Sequence, residues 1–197
     1  MAKDDRRQEF VDVATELFAE KGFEGTSIAA IADRLGLTKQ ALLHYFGSKE
    51  KLYGIVLEAI SERAMLKLVE DQLDTMTPEE RLITFFVGYC ENGLHDSTDV
   101  RLIVRELSDN GRRAEAAGRW YLKPFLQELA AMVQDTSRWR HATQEEALAV
   151  AYQVLGAISY FAISGPTLAG MFGQDKLDLM RARYAEQIRE TVRRLVE

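Results

Sequence analysis

The chain has 197 residues, of which 47% are hydrophobic and 28% are charged, a composition typical of a globular protein and too apolar for a disordered one. Only three prolines occur, which excludes a proline-rich or collagen-like chain, and the single cysteine, Cys90, excludes an internal disulfide. The charged first ten residues lack the apolar run of a secretory signal, so we expect a cytoplasmic protein.

Apolar residues recur at intervals of three and four along the chain and no segment alternates as a strand does, which predicts an all-α fold. Glycines and capping residues divide the amino-terminal part into short helices. In chain order we predict a helix around residues 10–18 that ends at Gly22, one over 28–35 that ends at Gly36, a short one around Leu42 and Phe46 capped by Thr38, and a longer one from Ser48.

Two capping boxes, over residues 77–80 and 143–146, mark later helix starts. Between them we predict a helix over 99–108 that residues 109–111 end, and a long helix over 112–136 that Pro124 kinks. A final amphipathic helix covers 176–195. Residues 147–174 carry no charge, but Gly165-Pro166 interrupts them and acidic residues precede them, so we favour a helix buried between protein surfaces over a membrane span.

Residues 26–51 form a helix-turn-helix pattern, with a tight turn at residues 35–37. If Leu42 and Phe46 face the core, the helical rotation turns Gln40, Leu43 and His44 outward. Such side chains can read base edges in the major groove. Residues 34–51 carry four basic side chains and one acidic, a net charge of +3, whereas residues 4–24 carry a net charge of −4. The simpler alternative is that these are ordinary helices with a solvated polar face.

The run from Ala14 to Leu52 contains G-F-E-G-T-S, I-A-A-I-A-D-R-L-G-L-T and H-Y-F-G-S-K-E-K-L, and it closely resembles the DNA-binding domain of the tetracycline-repressor-like (TetR) family of bacterial transcription regulators. The resemblance implies a helix-turn-helix DNA-binding domain over residues 1–47 and a larger helical bundle for effector binding and dimerisation over 48–197. It implies phosphate contacts by Thr26, Ser27, Tyr45 and Lys49, and base contacts by Lys39, Gln40, Ala41, Leu43 and His44. Ala41 and Leu43 stand where the family commonly has Thr and Tyr, which puts the affinity and the operator in question.

The resemblance also implies a ligand pocket and a dimer interface in the larger bundle. Aromatic residues at helical spacing are as typical of plain core as of a pocket, and both interpretations stay open. The pocket candidates are Phe85, Phe86, Tyr89, Arg105, Trp120, Tyr121, Phe125, Tyr152 and Gln153. The dimer candidates lie on the uncharged helix and are Ala147, Val150, Ala151, Val154, Ile158 and Ala162.

Signals of an enzyme are missing from the sequence. His44, His95 and His141 lie far apart, Cys90 has no metal-ligand partner at close spacing, and no phosphate-binding glycine motif occurs, so we expect no catalysis, metal or cofactor. We predict a ligand-responsive repressor that binds a palindromic DNA operator as a homodimer. The alternatives are an activator, a regulator controlled by a protein partner, or a helical small-molecule-binding protein that does not bind DNA.

Overall fold

The computed structural model describes residues 3–70, 75–108 and 121–197. Across these ranges the chain forms nine helices and no strand. The helices are α1 (Lys3–Gly25), α2 (Ile28–Arg34), α3 (Lys39–Phe46), α4 (Lys49–Glu70), α5 (Pro78–His95), α6 (Thr98–Ser108), α7 (Lys123–Asp135), α8 (Gln144–Phe172) and α9 (Gln174–Val196).

The amino-terminal helices pack around one core, which we call the head. α1, α2 and α3 contribute buried residues such as Phe18, Ile31 and Leu42, and the first part of α4 contributes residues from Leu52 to Ile60. Leu102 of α6 completes this core. α4 begins at Lys49, two residues after Gly47, and the hydrophobic core of the head continues across this point.

The second core, which we call the body, is built from α5, α7, α8 and α9. α8 lies at its centre and contacts α5, α6, α7 and α9. Both predicted capping boxes are formed. The Thr77 and Thr143 side chains each accept a hydrogen bond from the backbone N–H three residues later, and the side chain of the glutamate there accepts one from the threonine N–H. α6 lies between the head and the body, and its Ile103 packs against both cores.

Two proline predictions were wrong. Pro166 lies inside α8 without ending it, because the φ angle of proline suits a helix and only one backbone hydrogen bond is lost; the chain turns at Gly173, whose φ is +88°. Pro124 lies in the first turn of α7, where its missing N–H costs nothing, so it starts the helix and does not kink it. The predicted helix end at 109–111 and residues 112–120 of the predicted long helix lie outside the described residues.

α8 is long and apolar enough to cross a membrane by length and composition. However, 44% of its most apolar window is buried inside the fold, and the core helix of a soluble protein meets the same criterion. Its buried residues contact α5, α7 and α9, which accounts for the apolar composition without lipid.

Candidate nucleic-acid interface and internal cavity

The turn between α2 and α3 is fixed by backbone hydrogen bonds. The Leu37 N–H donates to the Ala32 carbonyl at 2.9 Å and the Gly36 N–H donates to the Asp33 carbonyl at 3.1 Å, which is a Schellman motif. Gly36 has φ +64°, a left-handed conformation that glycine adopts at little cost. These bonds set the angle between α2 and α3 and make the helix-turn-helix.

α3 presents a polar face to solvent and an apolar face to the head. The Thr38 side chain caps it by accepting a hydrogen bond from the Ala41 N–H at 3.2 Å. Leu42 and Phe46 are buried in the head. Lys39, Gln40, His44 and Tyr45 are exposed, whereas Ala41 and Leu43 are partly buried and Leu43 packs against the head core. The structure therefore places the predicted base-contacting residues along one ridge, with Leu43 at its edge.

Three predicted phosphate-contacting residues lie beside this ridge. Ser27 is exposed and caps α2 by accepting a hydrogen bond from the Ala30 N–H at 3.1 Å. Tyr45 packs edge-on against Phe10, with ring centroids 5.2 Å apart. The Lys49 ammonium lies 4.2 Å from the centroid of the Phe23 ring, an attraction that holds this positive charge at the start of α4.

The predicted phosphate contact of Thr26 was wrong. Its side chain is buried, with 2% exposure, and its hydroxyl lies 3.0 Å from the Leu17 carbonyl and 2.8 Å from the Gly22 carbonyl, both in α1. Its backbone N–H donates to the Phe23 carbonyl. Because its hydroxyl and its backbone N–H both point inward, Thr26 stabilises the connection between α1 and α2 and is not positioned to contact a phosphate.

We expect Thr26→Val to lower the free energy of unfolding by about 1–3 kcal/mol, because valine has the same shape but cannot donate a hydrogen bond to the carbonyls. Duplex affinity of the folded variant should stay at the wild-type value. Urea denaturation followed by circular dichroism and fluorescence anisotropy with labelled duplex measure the two effects. The matched control is Thr191→Val on the exposed side of α9, which should change neither. Lost affinity with unchanged stability would restore the phosphate role.

A cavity of about 750 Å³ lies between the head and the body. α1, α4, α5, α6, α7 and α8 all contribute to its lining, which is mostly apolar. A polar pair interrupts this lining: Arg63 of α4 donates from Nε to Asp99 of α6 at 3.0 Å and from Nη2 at 2.7 Å. Sequence reasoning missed this pair, because residues 36 positions apart on different helices give no local signal.

The predicted pocket residues divide into several groups. Tyr89, Phe125 and Tyr152 line the cavity. Phe85 and Phe86 are instead buried in the body core, where large aromatic rings fill space between helices. Arg105 donates to the Glu20 carbonyl of α1, and Tyr121 and Gln153 are exposed and outside the lining. Trp120 lies outside the described residues.

Cys90 is buried beneath the body helices, and burial, with a smaller contribution from Glu91, raises the pKa of its thiol to about 11. The thiol is therefore protonated at neutral pH. Over the residues with described positions, no group of three His, Cys, Asp or Glu side chains converges as a metal site.

The prediction of the dimer interface was wrong in its choice of face. All six predicted residues are buried inside their own protomer, where the alanines let α8 approach its neighbours closely. The six are Ala147, Val150, Ala151, Val154, Ile158 and Ala162. The opposite side of α8 is exposed at helical intervals of three, four or seven residues, at Gln153, Ala157, Tyr160, Thr167 and Met171.

Residues 10–54, which include the whole helix-turn-helix, match the family model described as "Bacterial regulatory proteins, tetR family". This chain carries a tetR-family amino-terminal domain. The match begins at Phe10 in α1 and ends within α4, so it coincides with most of the head.

Two curated relatives resemble part of the chain. The transcriptional repressor KstR2 of Rhodococcus jostii is 35% identical over 85 residues, which are 42% of this chain and 42% of that protein. The transcriptional activator FasR of Mycolicibacterium smegmatis is 29% identical over 103 residues, 52% of this chain and 47% of that protein. The chain thus spans about half the length of the curated relatives it matches.

Solved structures extend the likeness in fold to nearly the whole chain. The transcriptional regulator FadR of Bacillus subtilis, solved in complex with stearoyl-CoA, superposes with a TM-score of 0.72 at 16% identity, over 94% of this chain and 97% of that one. At this identity the likeness shows a shared fold of head and body.

Proposed function

We propose that this protein is a sequence-specific DNA-binding transcription regulator, and that it represses its target genes until a small molecule binds the cavity. The observation that carries the proposal is the exposed ridge of α3, with Lys39, Gln40 and His44 facing solvent above a buried Leu42 and Phe46. A helix anchored in this way can enter the major groove and present donors and acceptors to base edges.

Local charge supports duplex binding despite the net charge of −6. The four basic residues of 34–51 lie on α3 and on the adjoining ends of α2 and α4, whereas the acidic residues of 4–24 lie on α1, where Glu16 is 3.8 Å from Arg34. Because fields decay over about 8 Å at physiological salt, acidic surface elsewhere costs little affinity. The relatives are transcription regulators and not enzymes, which agrees with the absence of catalytic motifs in the sequence.

We further propose that the protein acts as a cytoplasmic homodimer that joins through the exposed faces of α8 and α9. Tyr160 is 75% exposed, and Met171 and Leu179 are more than half exposed. Large apolar side chains gathered on one face mark an interaction surface. A two-fold dimer would place two α3 ridges in successive major grooves of a palindromic operator.

An activator is the second candidate, because FasR, one of the curated relatives, is named as an activator. A reporter gene placed behind the bound duplex separates the two: expression falls with a repressor and rises with an activator. The bound duplex itself is obtained by selecting from a random pool with the purified protein. Failure to enrich any sequence at low salt would contradict DNA reading and favour a protein that binds small molecules alone.

We expect Lys49→Ala and Gln40→Ala to weaken DNA binding in different ways. Lys49→Ala should weaken binding to every duplex alike and reduce the slope of log K against log salt by about one, because one phosphate contact is lost. Gln40→Ala should remove discrimination of about 1–3 kcal/mol at one base pair and leave other positions unchanged. Fluorescence anisotropy on a panel of single-base operator variants measures both.

The matched control for these two variants is Lys176→Ala, which removes an exposed lysine at the start of α9, far along the chain from α3. It should leave operator affinity and its salt dependence at the wild-type values. An equal loss on every sequence for Gln40→Ala would contradict its proposed reading of a base.

A further inference from the structure

The cavity between head and body contains a closed ion pair. The carboxylate of Asp99 accepts two hydrogen bonds from Arg63, on Nε and on Nη2, in the side-by-side geometry that gives the strongest arginine–carboxylate pairing. Both side chains are 38% exposed and both line the cavity. The two opposite charges therefore face the same cavity, with donor and acceptor atoms 2.7–3.0 Å apart.

A bound molecule would experience these two charges together. Near a protein surface, two unit charges about 4 Å apart interact with an energy of about 4 kcal/mol. The attraction of a ligand carboxylate to Arg63 would, however, be offset by its repulsion from Asp99. The same cancellation holds for an ammonium group. A charged ligand would lose its hydration on entering and gain little in return.

The rest of the lining adds no net positive charge, because its Lys, Arg, Asp and Glu side chains are one lysine, Lys67, and three carboxylates, Asp12, Glu16 and Asp96. Ile60, Val100, Ile103, Leu122 and Leu155 give the cavity an apolar lining around the ion pair. These three carboxylates lie in exposed positions and have partners nearby. Asp12 accepts a hydrogen bond from Gln8 at 2.8 Å, Glu16 lies 3.8 Å from Arg34, and Asp96 accepts from the Thr98 N–H at 2.9 Å and from its hydroxyl at 2.6 Å.

Neutral hydrogen-bonding groups are available beside the ion pair. Asp99 uses two of the five N–H groups of Arg63, which leaves three for another acceptor. Tyr89 and Ser159 also line the cavity. Burial raises the pKa of the Tyr89 phenol, a hydrogen bond with Ser159 opposes this, and the Asp99 charge adds to it; the phenol thus stays an uncharged donor at neutral pH.

We propose that this cavity takes an uncharged amphipathic molecule, an apolar skeleton that carries a hydroxyl or carbonyl group, and that the Arg63–Asp99 pair excludes carboxylates and ammonium ions. The hydroxyl or carbonyl oxygen accepts from Arg63 or Tyr89 while the skeleton contacts the apolar walls. This inference rests on the proposed function in one respect, namely that the cavity is the effector site.

The test uses three probes that share one ten-carbon chain: 1-decanol, decanoate and decylammonium. Isothermal titration at neutral pH with the full-length protein should give the tightest binding for 1-decanol, by about tenfold or more over each charged probe. Tighter binding of decanoate or decylammonium, equal binding of all three, or no binding of 1-decanol would each overturn the proposal.

Variants of the pair should change the charge preference in a predictable direction. Asp99→Asn leaves the guanidinium unpaired, so decanoate should become the tightest probe; Arg63→Met leaves the carboxylate unpaired, so decylammonium should. The double variant Arg63→Met/Asp99→Asn has no charge at this point and should prefer 1-decanol again. A circular dichroism melt establishes that each variant is folded. A preference that does not move with the remaining charge would show that the pair only joins α4 to α6.

The experiments distinguish a failure of the cavity proposal from a failure of the proposed role in transcription. A protein that enriches an operator from the random pool but ignores 1-decanol keeps the DNA-binding proposal and loses this one. A protein that binds 1-decanol with the expected charge selectivity but enriches no duplex keeps the cavity assignment and loses the role in transcription.

Discussion

Ala151→Arg is expected to unfold the body, whereas Ala157→Arg, on the other side of the same helix, is expected to leave the protomer folded and to separate the dimer. Ala151 is 0% exposed in the core of the body. An arginine there would bury an unpaired charge and overfill a packed site, at a cost comparable to the total stability of a domain, about 5–15 kcal/mol. Loss of the helical circular dichroism signal, or insolubility, is the result we expect.

Ala157 gives the opposite result because its side chain faces outward. The Tyr184 hydroxyl donates to its backbone carbonyl at 2.8 Å, a bond that the substitution retains. We expect a stability change within about 0.5 kcal/mol. In a dimer joined through this face, two arginines would meet near the two-fold axis, so sedimentation should give monomers and operator affinity should fall.

The matched control is Ala131→Arg, which adds the same side chain at an exposed position of α7 and should leave a folded dimer. A folded, monomeric Ala151→Arg would restore the original sequence-based interface. A wild-type dimer for Ala157→Arg would exclude the outer face of α8.

The sequence predicted the head more completely than the body. The predicted end of the second helix at Gly36 and the predicted Thr38 cap of the third were confirmed, because these are local signals that depend on neighbouring residues alone. Thr26 was the exception, since a threonine beside a helix start can point outward to a ligand or inward to a carbonyl. The position of Thr26 relative to the start of α2 is the same in both cases, so the sequence does not distinguish them.

The face of α8 was not predictable in the same way. A helix that is apolar on most of its circumference has no clear direction towards the core, so the small residues could belong to a contact within the protomer or between protomers. The contacts with α5, α7 and α9 decide this in favour of the protomer. Likewise, the Arg63–Asp99 pair depends on how α4 and α6 cross, which tertiary packing determines.

Leu102→Ala is expected to destabilise the head although it lies in α6, outside the tetR-family match. Leu102 is 0% exposed within the head core. Removing such a leucine costs about 2–5 kcal/mol, through lost burial and the cavity left behind. The matched control on the same helix is Leu107→Ala, which removes a side chain that is 42% exposed and should cost less than about 1 kcal/mol.

The contact of Leu102 with the head core should also determine how strongly ligand binding in the cavity changes DNA binding by the α3 ridge. The contacts that join α6 to the head include Leu102 itself, a hydrogen bond from the Tyr53 hydroxyl to Glu106 at 2.6 Å, and one from Arg105 to the Glu20 carbonyl at 3.1 Å. On its other side α6 lines the cavity through Val100 and Ile103. A ligand that shifts α6 therefore shifts the head with it.

Because coupling between two sites is reciprocal, operator DNA must change 1-decanol affinity by the factor by which 1-decanol changes operator affinity. In Leu102→Ala we expect this factor to move towards one, since a loosened contact lets α6 move while the head stays in place. Titrating 1-decanol with and without operator, in the wild type and in Leu102→Ala, measures this factor. An undiminished factor together with a stability loss no larger than that of Leu107→Ala would show that α6 neither supports the head nor transmits to it.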